Sequence, residues 1–119
     1  MTTPLQIKVS NIACPGLGVL QEREAQARML RVMLFLQRQE KPVPRKSILH
    51  WCSYPVIHRD PITPLVMFEN DVLRLNKRLK RYRRKIVGST QYAYGNQITD
   101  IGYQLIQYEE PAEAGKASA

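Results

Sequence analysis

The sequence predicts an α+β fold of three helices, with a short N-terminal strand region and a C-terminal β-hairpin. Three patterns carry that reading. Phe68, Val72, Leu75, Leu79, Tyr82 and Ile86 follow one another at steps of four and three, the repeat of one helix face. From about Leu20 to Gln39 a second helix-like run spaces Arg23, Glu24, Arg28, Arg31 and Arg38 among Ala27, Met29, Leu30, Met33, Leu34 and Leu36. Thr90 to Tyr94 and Gln97 to Leu105 read as two strands around Gly95-Asn96, a pair that tolerates the positive φ of a tight turn.

In order, Leu5-Gln6-Ile7-Lys8-Val9 alternates with period two and predicts an edge strand. The stretch from Asn11 through Pro15, Gly16 and Gly18 breaks it. The helix of 20–39 is apolar at nearly every place from Met29 to Leu36, which puts it at the centre of the core. Pro42 and Pro44 stop it, and Pro44 suits the first turn of the next helix, where its missing N–H costs nothing. Ile48, Leu49, Trp51 and Cys52 give that helix a short buried face. Ser53 to Pro64, stiffened by Pro55, Pro61 and Pro64, has no period and predicts a long ordered loop. The third helix, 68–86, ends at Gly88. Residues 1–19 are thus a strand and loop, 20–106 the domain, and 107–119, rich in Glu, Pro, Ala and Gly, a disordered tail.

Charge narrows the function classes. The chain has 119 residues, a net charge of +8 and a pI near 9.8. That length suits one domain, and the basic balance favours a nucleic acid or another anionic surface. No stretch is long and apolar enough to span a membrane, and no signal-peptide pattern opens the chain, so a cytoplasmic, nucleoid-associated protein is expected. Cys14 and Cys52 read as reduced structural thiols. Cys14, His50, Cys52 and His58 lack zinc-ligand spacing, and there is neither a Gly-rich phosphate loop nor a paired acid-base set. No metal, cofactor or enzymatic activity is expected.

The third helix concentrates the charge. Asn70, Arg74, Lys77, Arg78, Arg81 and Lys85 lie opposite its apolar seam, with Lys80, Arg83 and Arg84 on the flanks and only Glu69 and Asp71 to offset them. A one-sign stripe backed by a buried seam suits a helix laid in a DNA groove.

Strand, helix, helix, loop, basic helix and hairpin in that order is the layout of a winged helix-turn-helix. The chain resembles the DNA-binding effector domain of OmpR/PhoB-type response regulators and ToxR-type activators. Phe68, Val72, Leu75 and Leu79 occupy the apolar places of that family's recognition-helix pattern, with Asn76, Lys77 and Arg78 between them. Gly102-Tyr103-Gln104-Leu105 matches its closing Gly-Tyr-Arg-Leu, and Val43-Pro44-Arg45, Leu49 and Trp51 loosely match its second helix. The resemblance spans roughly Leu20 to Ile106. It departs from the family in lacking a receiver domain and a wing-tip arginine.

The resemblance implies a sequence-specific regulator of transcription. Arg74, Lys77, Arg78 and Arg81 would face the major groove or its walls, Asn70 would read adenine, and Lys85 would meet phosphate. Arg45 and Lys46 open the second helix, where positive charge opposes the helix dipole and a phosphate contact would explain it. Tyr94 and Asn96 would stand at the wing tip. The loop 53–64 matches in position the family's segment that touches RNA polymerase, and a second copy of the chain on DNA is a further partner. Two other readings stay open: an interaction protein that uses the fold to bind an acidic host protein, and an RNA-binding basic module.

Overall fold

The computed structural model describes residues 7–108, and within them the chain is α+β, with three helices and a three-stranded antiparallel sheet. The order is α1 (Val19–Gln37), β1 (Val43–Pro44), α2 (Arg45–Trp51), α3 (Ile62–Leu79), β2 (Arg84–Tyr94) and β3 (Gln97–Gln107). The strands lie in the order β1-β3-β2. This arrangement is compatible with a winged-helix-like layout.

The core forms where α1 and α3 meet. α1 contributes Ala25, Met29, Val32, Met33 and Leu36, and α3 contributes Phe68, Val72, Leu75 and Leu79; Ile48 of α2 and Ile86 of β2 close it. α1 is not buried all round, as its apolar run predicted. Leu30 and Leu34 are exposed because only one side of the helix faces the other elements.

The N-terminal segment departs from the predicted strand. Leu5 and Gln6 lie outside the described residues, and from residue 7 to 18 the chain forms one 3-10 turn, Val9–Asn11, and no strand. Its apolar residues Ile7, Val9, Ile12 and Cys14 are buried, so the alternation reflected burial rather than pairing. Side chains tether it: Gln26 of α1 donates to the Ser10 and Ile12 carbonyls at 2.9 and 3.2 Å, and Arg78 of α3 donates to Asn11 O at 3.1 Å.

Pro44 caps α2 from outside rather than filling its first turn, because it pairs with Gly102 as the second residue of β1. α3 begins six residues before the predicted Phe68. Asp60 accepts the N–H groups of Ile62 and Thr63 at 3.2 and 3.1 Å, which supplies the N-terminal cap. Pro64 then sits in the first turn, where its lost donor is not missed. Of the prolines that suggested a continuous loop, Pro61 and Pro64 are helix-start residues, and only Pro55 lies in the loop.

The predicted end of α3 at Ile86 is also corrected. The helix stops at Leu79, a 3-10 turn spans Lys80–Tyr82, and Arg83 takes a left-handed φ of 56° that turns the chain into β2. Asn76 replaces a strand partner at this junction. Its Oδ1 accepts the Ile86 N–H at 2.8 Å and its Nδ2 donates to Ile86 O at 3.1 Å, pinning β2 to α3. Tyr82, predicted in the seam, is 40% exposed. Gly88 ends no helix. It pairs with Tyr103, and a Cβ there would stand 2.9 Å from the Tyr103 ring. That space lets Tyr103 meet Phe68 edge-on at 4.9 Å.

The hairpin is longer than predicted, since β2 already begins at Arg84. Tyr94 pairs with Gln97, and of the two turn residues only Gly95 has positive φ (63°), the pattern of a type II′ turn. Gln107, assigned by sequence to the tail, belongs to β3, and the rest of the predicted disordered tail from Glu109 lies outside the described residues.

Candidate nucleic-acid interface

α3 presents its outward side as an open groove of about 510 Å³. Asn70, Leu73, Lys77 and Arg81 line it, with Arg74 and Arg78 along one flank and Ile12, Ala13 and Pro15 of the N-terminal segment beyond them. The groove side exists because the opposite side of the same helix carries every fully buried α3 residue. Of the eight Lys and Arg residues from Arg74 to Lys85, only Arg74 meets a carboxylate among the described residues. Lys77 and Arg81 are exposed and make no ion pair within that part of the chain. Arg78 is half-buried by its bond to Asn11 O.

Arg74 belongs to a second, internal constellation. Asp71 is 0% exposed and was predicted only to dilute the surface charge. Arg28 of α1 donates to it from Nε at 2.8 Å and from Nη2 at 3.3 Å, the Tyr54 hydroxyl donates at 2.7 Å, and Arg74 Nη1 donates at 3.1 Å. Burial alone would lower the pKa of Arg28, but the hydrogen bond and charge of Asp71 outweigh it and hold that pKa above its ordinary value. Burial, reinforced by the Asp71 charge, pushes the Tyr54 hydroxyl well up, so it stays a donor. One carboxylate between two guanidiniums leaves the cluster one net positive charge, and Arg74 carries it to the edge of the groove.

The start of α2 resolves differently from its prediction. Asp100 of β3 accepts the Lys46 N–H at 3.2 Å and lies 3.7 Å from Arg45 Nε, while Arg45 Nη1 lies 3.7 Å from Glu69. The charge that opposes the α2 dipole is therefore offset by a carboxylate from the sheet, with no phosphate required. Arg45 is half-buried and ties α2 to α3; the Lys46 side chain is exposed.

The remaining predicted site residues fall on the hairpin. Lys85 is not on the helix: it is the second residue of β2, with its Nζ 5.5 Å from the centre of the Tyr108 ring. Tyr94, 84% exposed, and Asn96 stand at the far tip of the hairpin. Tyr94 lies nine residue steps along β2 from Lys85, roughly 30 Å at about 3.3 Å per residue. The structure thus gathers Asn70, Arg74, Lys77, Arg78 and Arg81 in one groove and leaves Arg45, Lys46, Lys85, Tyr94 and Asn96 outside it.

Three residues escaped the sequence reading. Leu73 lies in the middle of the outward side at 62% exposure, with Ile62 (61%) and Val66 (47%) nearer the start of the helix. All are out of step with the Phe68–Leu79 seam, which was the available signal. The loop before α3 also exposes an apolar residue, Val56, at 84%.

Cys14 and Cys52 are buried free thiols. Burial raises the pKa of Cys14 and pushes that of Cys52 up to about 11, which keeps both protonated and unreactive at neutral pH. Among the described residues no three His, Cys, Asp or Glu side chains converge on a metal site, and no helix is long and apolar enough to cross a membrane. No protein-family model, curated protein or solved structure matches the chain.

Proposed function

We propose that the chain is a winged-helix protein that binds double-stranded DNA in a sequence-specific manner and regulates transcription, with α3 as its recognition helix. The observation that carries this reading is the outward side of α3. Exposed Lys77 of α3 and Arg81 of the 3-10 turn that follows it adjoin Asn70 in one groove, with no carboxylate among the described residues to neutralise them, and the other side of the helix is fully seated in the core. Such a face repels itself until a polyanion lies along it, and an α-helix fits the major groove. Asn70 reads a base edge, Arg74 follows it into the groove, and Lys77, Arg78 and Arg81 reach the backbone. The cations of 80–85 extend the phosphate contact beyond the helix end. The segment before α3 is the candidate contact for RNA polymerase.

Selection of bound sites from random duplex DNA tests the reading, followed by competition of the selected duplex against its scrambled version and RNA. An enriched motif, preferred over both competitors by a factor on the order of a thousand or more, supports it. Equal affinity for all duplexes contradicts it, and preference for RNA moves the basic-module reading ahead.

A second reading, an interaction protein, is favoured by a different surface. Leu20 (70% exposed), Leu30 (38%) and Leu34 (44%) share the solvent side of α1 with exposed Ala27, and none of them lines the α3 groove. An apolar stripe of that kind suits a protein neighbour.

A further inference from the structure

To its groove α3 contributes one group that a phosphate-binding surface does not use. Leu73 is 62% exposed, three residues after Asn70 and four before Lys77, so it stands between them on the same side of the helix. Its groove neighbours from the same stretch of chain, Asn70, Arg74, Lys77, Arg78 and Arg81, are all polar or cationic, and the groove's other apolar lining, Ile12, Ala13 and Pro15, comes from the N-terminal segment across from it. A leucine there accepts no hydrogen bond, neutralises no phosphate, and would be desolvated against charge if the groove held only a sugar-phosphate backbone. The major groove offers one apolar partner, the 5-methyl group of thymine.

We propose that Leu73 is a specificity-determining residue that packs on a thymine 5-methyl group, beside the base pair whose adenine Asn70 reads. The assignment rests on the DNA reading of α3 and adds the chemistry of its target. Side chains three apart on a helix have Cβ atoms about 5 to 6 Å apart, and successive base pairs are about 3.4 Å apart along the duplex. Asn70 and Leu73 therefore address the same or neighbouring base pairs. Asparagine pairs bidentately with adenine N6 and N7, and the thymine methyl lies at the same groove edge. The preferred site accordingly carries an A·T-containing step at the centre of the α3 contact. Lys77 and Arg81, one and two turns further on, hold the flanking backbone.

Removing one methyl group tests this without disturbing any hydrogen bond or charge. The duplex returned by site selection is synthesised with deoxyuridine in place of thymidine at one position at a time. Affinities are measured for the wild type and for Leu73→Ala, whose folding is checked by circular dichroism and thermal melting. Leu73 is exposed, so the variant is expected to fold. One position should weaken wild-type binding by about three- to tenfold, on the scale of one buried methyl group. Leu73→Ala should bind the thymidine duplex as weakly as the wild type binds the deoxyuridine duplex, and should not distinguish the two. Wild-type indifference at every thymine, or persistent sensitivity in Leu73→Ala, overturns the assignment while the selected motif leaves the DNA reading standing. Failure of the selection to enrich any motif is the separate result that removes the DNA reading, and this assignment with it.

Discussion

The two sides of α3 treat charge in opposite ways. Toward α1, Asp71 is sealed from solvent and satisfied by Arg28, Tyr54 and Arg74. Toward solvent, Lys77 and, in the 3-10 turn that continues this side, Arg81 have no carboxylate partner among the described residues. A charge buried in this way is held by geometry, because the desolvation of each ion is recovered only while the others stay in place. An exposed row of cations stabilises nothing within the chain and is available to a ligand. The difference teaches that the basic content of a helix overstates its binding surface. Arg28 and Arg45 are structural, Arg74 is shared, and the available charge starts at Lys77.

That contrast can be broken from the inside first. Asp71→Ala leaves Arg28 buried without a carboxylate partner and should cost about 3 to 5 kcal/mol, read by urea denaturation; a cost below about 1 kcal/mol would mean that the cluster is not holding α1 to α3. Leu75→Ala, in the seam between the two sides, should cost about 2 to 5 kcal/mol. Unchanged thermal melting would show that the buried side has been assigned wrongly. Tyr54→Phe removes one hydrogen bond to the Asp71 carboxylate and should cost about 1 to 3 kcal/mol, less than loss of the carboxylate itself. Lys77→Ala on the outward side should change stability by less than about 0.5 kcal/mol.

A pH effect sharpens the same line between inside and outside. Cys52 ionises at 9.0 when unperturbed and at about 11 in the fold, where burial favours the neutral thiol. Its contribution to stability is fully present below pH 9 and is lost as pH rises from 9 toward 11. Cys52→Ala should flatten that part of the stability profile, whatever its effect at neutral pH, and a profile identical to the wild type would contradict the burial argument.

Much of this was legible before the structure, and the failures share a cause. The four-three spacing of Phe68, Val72, Leu75 and Leu79 identified the buried side of α3 because a helix that loses that side to water does not form. The Gly95-Asn96 turn was legible because few residues tolerate positive φ. The C-terminal end of α3 was not, since it depends on partners distant in sequence. Asn76 serves as a strand edge for Ile86, and Gly88 makes room for Tyr103, so a basic run that reads as continuous helix is divided into helix, turn and strand. Asp71 was misread because composition counts a charge without locating it. Its position three residues after Phe68 and four before Leu75, at the edge of the buried seam, was the usable clue. The pairing of Asp100 with the start of α2 spans 54 residues of sequence and left no local signal.

The central claim, that the outward side of α3 is the DNA-binding surface, is tested most directly by salt dependence. Affinity for the selected duplex is measured from low to moderate salt for the wild type, for Lys77→Ala/Arg81→Ala, and for Arg23→Ala/Arg38→Ala, which removes two exposed cations, one in α1 and one at its C-terminal cap. The account predicts that the α3 pair lowers the slope of log K against log salt by about 1.8, near 0.9 for each lost phosphate contact, while the α1 pair leaves the slope unchanged. Equal reductions for both pairs, or an unchanged slope for the α3 pair, would contradict it.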